Sequence, residues 1–368
     1  NSSSLAVGIG TSSAGSKNGT ATLSLTSNGA GSSGLGLTPL PSQTVTVTGG
    51  VYRLAQPSLP GGTTLNFGIV HVGDVAQQTV KVTNAAAADG FSEALNGSFS
   101  GSAGQVTGSG SFTALAPGTS SVAAKVTLDT TTAGAKSGTA TLALVSTGAG
   151  SSGLANSPLT AQVMTATGQV NHYAAALITQ DSGAATLTGG GNAYTVYFGR
   201  LTLGEAPPVI TLRLTNSAAA PADTLAGSFA TAAPDFTLSG FGNFSNVAAG
   251  QSRTNLTVAL QTDSLGTFSQ TITLNGLSQN TGGYSGALGP VIITLIGEVA
   301  AVPALKIQLA GANAVVSWPL VERNWVLKRC SDLAVWSVVT EPVIDTATEH
   351  TVTTPRRGEP KLFFRLDK

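Results

Sequence analysis

An all-β chain of tandem sandwiches in an elongated array is predicted by three features of the sequence. Short runs alternate apolar and polar residues with a period of two, as in Thr20-Ala-Thr-Leu-Ser-Leu-Thr26 and Ile210-Thr-Leu-Arg-Leu-Thr215. Such alternation marks strands with one buried face. The stretch Ser16–Leu35 returns without a gap as Ala135–Leu154, 119 residues on, and a repeat this long implies duplicated domains, not short solenoid units. Hydrophobic residues make up 41% of the chain and charged residues only 9%. Solubility must therefore come from Ser, Thr, Asn and Gly, which suit outward strand faces and turns.

Taken in order, the first strands are Thr20–Thr26 and Thr44–Thr48, separated by a turn region opening at Asn28-Gly29. A second unit opens with Leu65-Asn-Phe-Gly-Ile-Val-His-Val-Gly73 and continues into Thr79-Val-Lys-Val-Thr-Asn84, with turns at Pro60-Gly-Gly62 and Pro117-Gly118. A third repeats the plan, with Val196-Tyr-Phe-Gly-Arg-Leu-Thr-Leu-Gly204 followed by Ile210-Thr-Leu-Arg-Leu-Thr-Asn216. Gly97-Ser-Phe99 then matches Gly227-Ser-Phe229, and Gly168-Gln-Val170 matches Gly297-Glu-Val299. Seven or more short strands per unit suit a sandwich of immunoglobulin type. Residues 57–173 and 174–301 are read as complete units, and residues 1–56 as only the last strands of the plan. Residues 302–368 are read as a separate C-terminal domain, because all three tryptophans and nearly half of the charged side chains lie there.

The F-G-x-V/L-x-V/L-G opening, the strand ending in Thr-Asn and the closing T-V-T-G strand resemble the choice-of-anchor D repeats. These are bacterial surface and secreted modules related to the immunoglobulin-like domains of the hydin and major-sperm-protein group. The resemblance covers roughly residues 1–300. It implies a spacer, stalk or adhesive scaffold and brings no catalytic residues. Ala314-Val-Val-Ser-Trp318, Asn324–Leu333 and Lys361-Leu-Phe-Phe-Arg-Leu366 resemble a small fibronectin-III-like cap found at the end of exported bacterial proteins.

Seventeen basic and seventeen acidic residues give zero net charge. This argues against a nucleic-acid partner and makes self-association easier. One cysteine, Cys330, cannot form an internal disulfide, and no run of eighteen apolar residues offers a membrane-spanning helix. Gly29-Ala-Gly-Ser-Ser-Gly34 and Gly148-Ala-Gly-Ser-Ser-Gly153 fit G-x-G-x-x-G. A Thr-rich strand follows each where a dinucleotide loop needs a helix, so both read as strand connections. His71, His172 and His350 share no spacing and read as surface or core-edge residues. Asp74, Asp89 and Asp223 read as turn caps, not metal ligands. No catalytic, cofactor or metal site is assigned. Trp318, Trp325 and Trp336 either fill a small core, the reading preferred here, or form a ligand-stacking or docking surface.

Half a sandwich exposes an apolar face and unpaired strand edges. Either further repeats precede Asn1, or a neighbouring molecule completes the unit, which generates a head-to-tail polymer. The expectation is an extracellular or cell-surface structural protein that self-associates into a filament, stalk or matrix without catalysis. The alternatives are a surface adhesin or carbohydrate-binding module with a glycan or cell-surface partner, or the spacer tail of a larger secreted enzyme.

Overall fold

The computed structural model describes residues 3–320, 325–356, 358–359 and 361–367, and these form strands, turns and irregular connections with no helix. In the second unit one sheet runs, edge to edge, through strands Thr64–His71, Ser157–Asn171, Gly134–Thr147, Ala94–Gly104 and Ser111–Leu115. The facing sheet runs through Pro57–Ser58, Gln77–Asn84, Ser120–Leu128 and Val106–Ser109. Alternate residues from both sheets meet in a core that includes Val80, Val82, Leu95, Val126, Leu128, Leu142, Leu144 and Met164. That is the period-two pattern of the sequence, folded so that each apolar face covers the other.

The third unit repeats this arrangement around Ile210, Leu212, Leu214, Leu256, Val258, Ile272 and Ile293. Its opening strand, Ala193–Thr202, lies parallel to Val291–Ala300, just as Thr64–His71 lies parallel to Ser157–Asn171. The shared F-G opening follows from this pairing. Gly68 and Gly199 have φ of 66° and 74°, and each sits where the parallel ladder slips, between Thr167 and Gln169 in one unit and Tyr197 and Arg200 in the other. A left-handed residue at a bulge favours glycine. The C-terminal residues pair into a four-stranded and a three-stranded sheet around Val316, Trp318, Leu327 and Val352.

Gly168 and Gly297 are required for another reason, close approach. A Cβ on Gly168 would stand 2.6 Å from Leu128 Cδ2 and 3.0 Å from Phe67 Cβ, and one on Gly297 would stand 2.4 Å from Leu260 Cδ2. Gly168→Ala is therefore expected to destabilise the second sandwich by about 1–3 kcal/mol, measured by urea denaturation followed by circular dichroism.

Candidate functional site: an open hairpin and a sealed junction

Residues Gly15–Asn28 and Leu37–Val51 form an antiparallel two-stranded sheet. Its register reproduces that of Gly134–Thr147 with Ser157–Asn171, from Gly15↔Val51 against Gly134↔Val170 to a bulge at Leu23/Leu25 against Leu142/Leu144. Upstream, Leu5, Val7 and Ile9 repeat the spacing of Ala124, Val126 and Leu128. Lys17 Nζ donates to Ser13 Oγ at 2.8 Å, as Lys136 Nζ donates to Thr132 Oγ1 at 2.7 Å. Ile9 Cδ1 reaches over Gly49, the position of Gly168.

The local structure is shared, but the packing is not. Leu142 and Met164 are 0% exposed, whereas their counterparts Leu23 and Val45 are 37% and 50% exposed. In the second unit the Gly134–Thr147 strand also pairs with Ala94–Gly104, and Ser157–Asn171 pairs with Thr64–His71. Among the described residues, neither outer edge of the hairpin carries such a strand. An apolar face and two free ladder edges are the features to which another strand adds.

Each complete unit buries a carboxylate. Glu93 accepts hydrogen bonds of 2.6 Å from Ser146 Oγ and Ser152 Oγ, and Ser146 Oγ itself accepts from the Ala55 backbone N–H. Asp223, 1% exposed, holds the same place in the third unit. It accepts from Ser278 Oγ at 3.0 Å, and Ser278 accepts from the Ala174 N–H. Three further donors reach Asp223: Asn171 Nδ2 at 3.0 Å, Asn280 Nδ2 at 3.1 Å and His71 Nε2 at 2.8 Å. Asn171 and His71 come from the preceding sandwich, so this carboxylate ties two units together. Tyr173 stacks on the His71 ring at 4.0 Å and Tyr284 lies 4.5 Å from it.

Burial opposes ionisation of Asp223, but hydrogen bonds from Asn171, His71, Asn280 and Ser278 outweigh it and hold the carboxyl below its ordinary range. Burial, followed by the neighbouring Asp74 carboxylate, pushes the Tyr173 phenol up to about 12. Ser278, Asp223 and His71 have the composition of a hydrolase triad but not its order. The serine hydroxyl donates to the carboxylate, so it is not placed against the imidazole as a nucleophile is against its base. The cluster is a structural clasp.

Two sequence expectations are corrected here. Asp223 is a buried hub, not a turn cap, and His71 is a buried partner to it, not a surface or core-edge residue. Asp74 and Asp89 do serve turns, accepting from the backbone N–H groups of His71 and Phe91. The sequence carried a signal for the hubs: the matched Gly-Ser-Phe segments extend upstream to Glu93-x-Leu95 and Asp223-x-Leu225. This gives acid-x-Leu-x-Gly-Ser-Phe in both units.

Both G-x-G-x-x-G segments connect antiparallel strands, so neither opens the helix that a dinucleotide-binding loop requires. The structure does not bring the three tryptophans together as one surface. Trp318 is 1% exposed and part of the C-terminal core. Trp336 is half-buried, with the Arg365 guanidinium 4.3 Å from its ring centroid. Trp325 is half-buried, immediately before the strand Val326–Cys330. Among the described residues no cluster of three or more His, Cys, Asp or Glu could hold a metal ion, and no helix is long and apolar enough to cross a membrane.

No protein-family model and no curated protein sequence matches the chain. Solved structures show similarity at low identity. A protein of unknown function from Porphyromonas gingivalis W83 aligns at 14% identity and a TM-score of 0.23, over 66% of this chain and 98% of that one. A marsupial T cell receptor aligns at 13% identity and a TM-score of 0.28, over 86% and 96%. A mutant of the enterotoxigenic E. coli adhesin CfaE aligns at 8% and 0.27, over 66% and 98%. TM-scores this low carry no argument about function, and the all-β fold rests on the sheets described above.

Proposed function

We propose that the chain is an extracellular or cell-surface structural protein. In this reading its immunoglobulin-like sandwiches, of the choice-of-anchor D kind, serve as a stalk or filament element that self-associates through the N-terminal hairpin. One observation carries the reading. Leu23, Val45 and the strand edges beside them are open in the hairpin, while the same register in the second unit is sealed. Zero net charge removes the repulsion that would keep such faces apart. The clasp around Asp223 supports a role in which consecutive units resist bending.

Sedimentation velocity over a wide concentration range, with negative-stain electron microscopy, tests this. The native chain should form extended oligomers as concentration rises, and Val45→Lys should remain monomeric. A native chain that stays monomeric throughout contradicts the reading.

A further inference from the structure

The third sandwich differs from the second on one outer sheet face. There Thr224–Ala232 lies between the edge strand Phe244–Val247 and the strand Gly266–Gln279, which also pairs with Ser285–Ala287. Register makes the two copies comparable residue by residue. Ala226 stands opposite Leu277 and Ser228 opposite Asn275, just as Asn96 stands opposite Val145 and Ser98 opposite Ala143. Leu225, Leu274 and Ser278 are fully buried, so strand alternation turns Ala226, Asn275, Leu277 and Gln279 to the outer face. In the second unit Asn96 reaches to the edge strand, its Oδ1 accepting from the Ala114 N–H at 2.7 Å. Ala226 takes that place in the third unit, and the shorter side chain leaves a hollow.

That hollow is an open groove of about 540 Å³, within the size range of small-molecule sites. Ala226, Leu277 and Ala287 supply its apolar surface, and Asn243, Asn275 and Gln279 bring three carboxamides to it. The second unit has Ser111, Ala143 and Thr147 at the places of those amides. No charged side chain lines the groove. Among the described residues the Asn243 and Asn275 side chains make no internal hydrogen bond. Gln279 Nε2 donates to Ser285 Oγ at 3.1 Å, which leaves its Oε1 to accept. Arg253 fixes the approach of Asn243, its guanidinium donating to the backbone oxygens of Gly240 and Asn243.

We infer that this groove binds a neutral saccharide. A carboxamide presents a donor and an acceptor side by side, which matches two vicinal hydroxyls on the rim of a pyranose ring. The apolar strip of Ala226, Leu277 and Ala287 suits the C–H face of that ring. An ionic ligand would lose water here without meeting a counter-charge, so the lining selects against acidic and basic polymers. The groove is open along the sheet face, which suits an extended oligosaccharide contacted from one side. The site is independent of the N-terminal hairpin and of self-association.

Calorimetry and saturation-transfer NMR on the full chain test this, with cellohexaose, laminarihexaose and maltohexaose as neutral probes and hexagalacturonate as an acidic one. The expected result is saturable binding of at least one neutral hexasaccharide and none of hexagalacturonate. Asn243→Ala with Asn275→Ala should weaken that binding at least about tenfold. Both residues are exposed, so the fold should persist, checked by an unchanged circular-dichroism melt. Ala226→Asn, which installs the second unit's residue, should fill the groove and weaken binding by a similar factor. Trp336→Ala should leave binding unchanged. Failure of every neutral probe to bind saturably overturns the inference. So does binding that both groove variants leave intact, or that Trp336→Ala abolishes, which would place the site in the C-terminal domain. A preference for hexagalacturonate overturns the assignment of a neutral ligand.

Discussion

Asp223→Ala is expected to lower the unfolding free energy of the paired sandwiches by about 3 kcal/mol. The substitution removes one carboxylate and leaves four donors, on His71, Asn171, Ser278 and Asn280, without an acceptor in a buried site. Urea denaturation followed by circular dichroism measures the loss. A change below about 1 kcal/mol would show that the donors find other partners. The acid response follows from the same contacts. Because the folded carboxyl titrates below its ordinary value, its contribution is fully present above about pH 4 and drains away as pH falls through the depressed value. Asp223→Asn should flatten the stability profile in that acid window. An Asp223→Asn chain that retains the native acid profile would assign the titration to other carboxyls.

Leu142→Ala and Leu23→Ala should differ sharply, although the two leucines hold the same register in duplicated hairpins. Leu142 is fully buried, and its truncation is expected to cost about 3 kcal/mol through lost transfer energy and the cavity left behind. Leu23 is 37% exposed on a sheet without a second layer. In dilute solution its truncation should cost under about 1 kcal/mol. At concentrations where the chain associates, the Leu23→Ala penalty should reappear as weakened assembly. Equal costs in dilute solution would mean that the hairpin is already covered.

Much of the architecture was legible because the pattern behind it is local. Alternation in Thr20–Thr26 and Ile210–Thr215 fixes which side chains share a face, and the 119-residue echo fixes equivalent positions. The F-G openings pointed to a shared strand, and the structure adds the reason, a left-handed glycine at a slip in a parallel ladder. The clasp was not legible in that way. His71 and Asp223 lie 152 residues apart and meet only because one sandwich is stacked on the next, and no spacing in the sequence encodes a contact between units. Trp318 was ambiguous for a related reason, since strand alternation leaves either face free to be the buried one until the facing sheet is in place.

Self-association through the N-terminal hairpin depends most directly on the contrast between the two hairpins. Amide deuterium exchange of the native chain, followed as protein concentration rises, measures it. The Gly134–Thr147 strand should be protected at every concentration. The Gly15–Asn28 strand should exchange rapidly when dilute and become protected as molecules associate. Protection of Gly15–Asn28 that is already complete in dilute solution, or exchange that never slows at any concentration, would contradict the account.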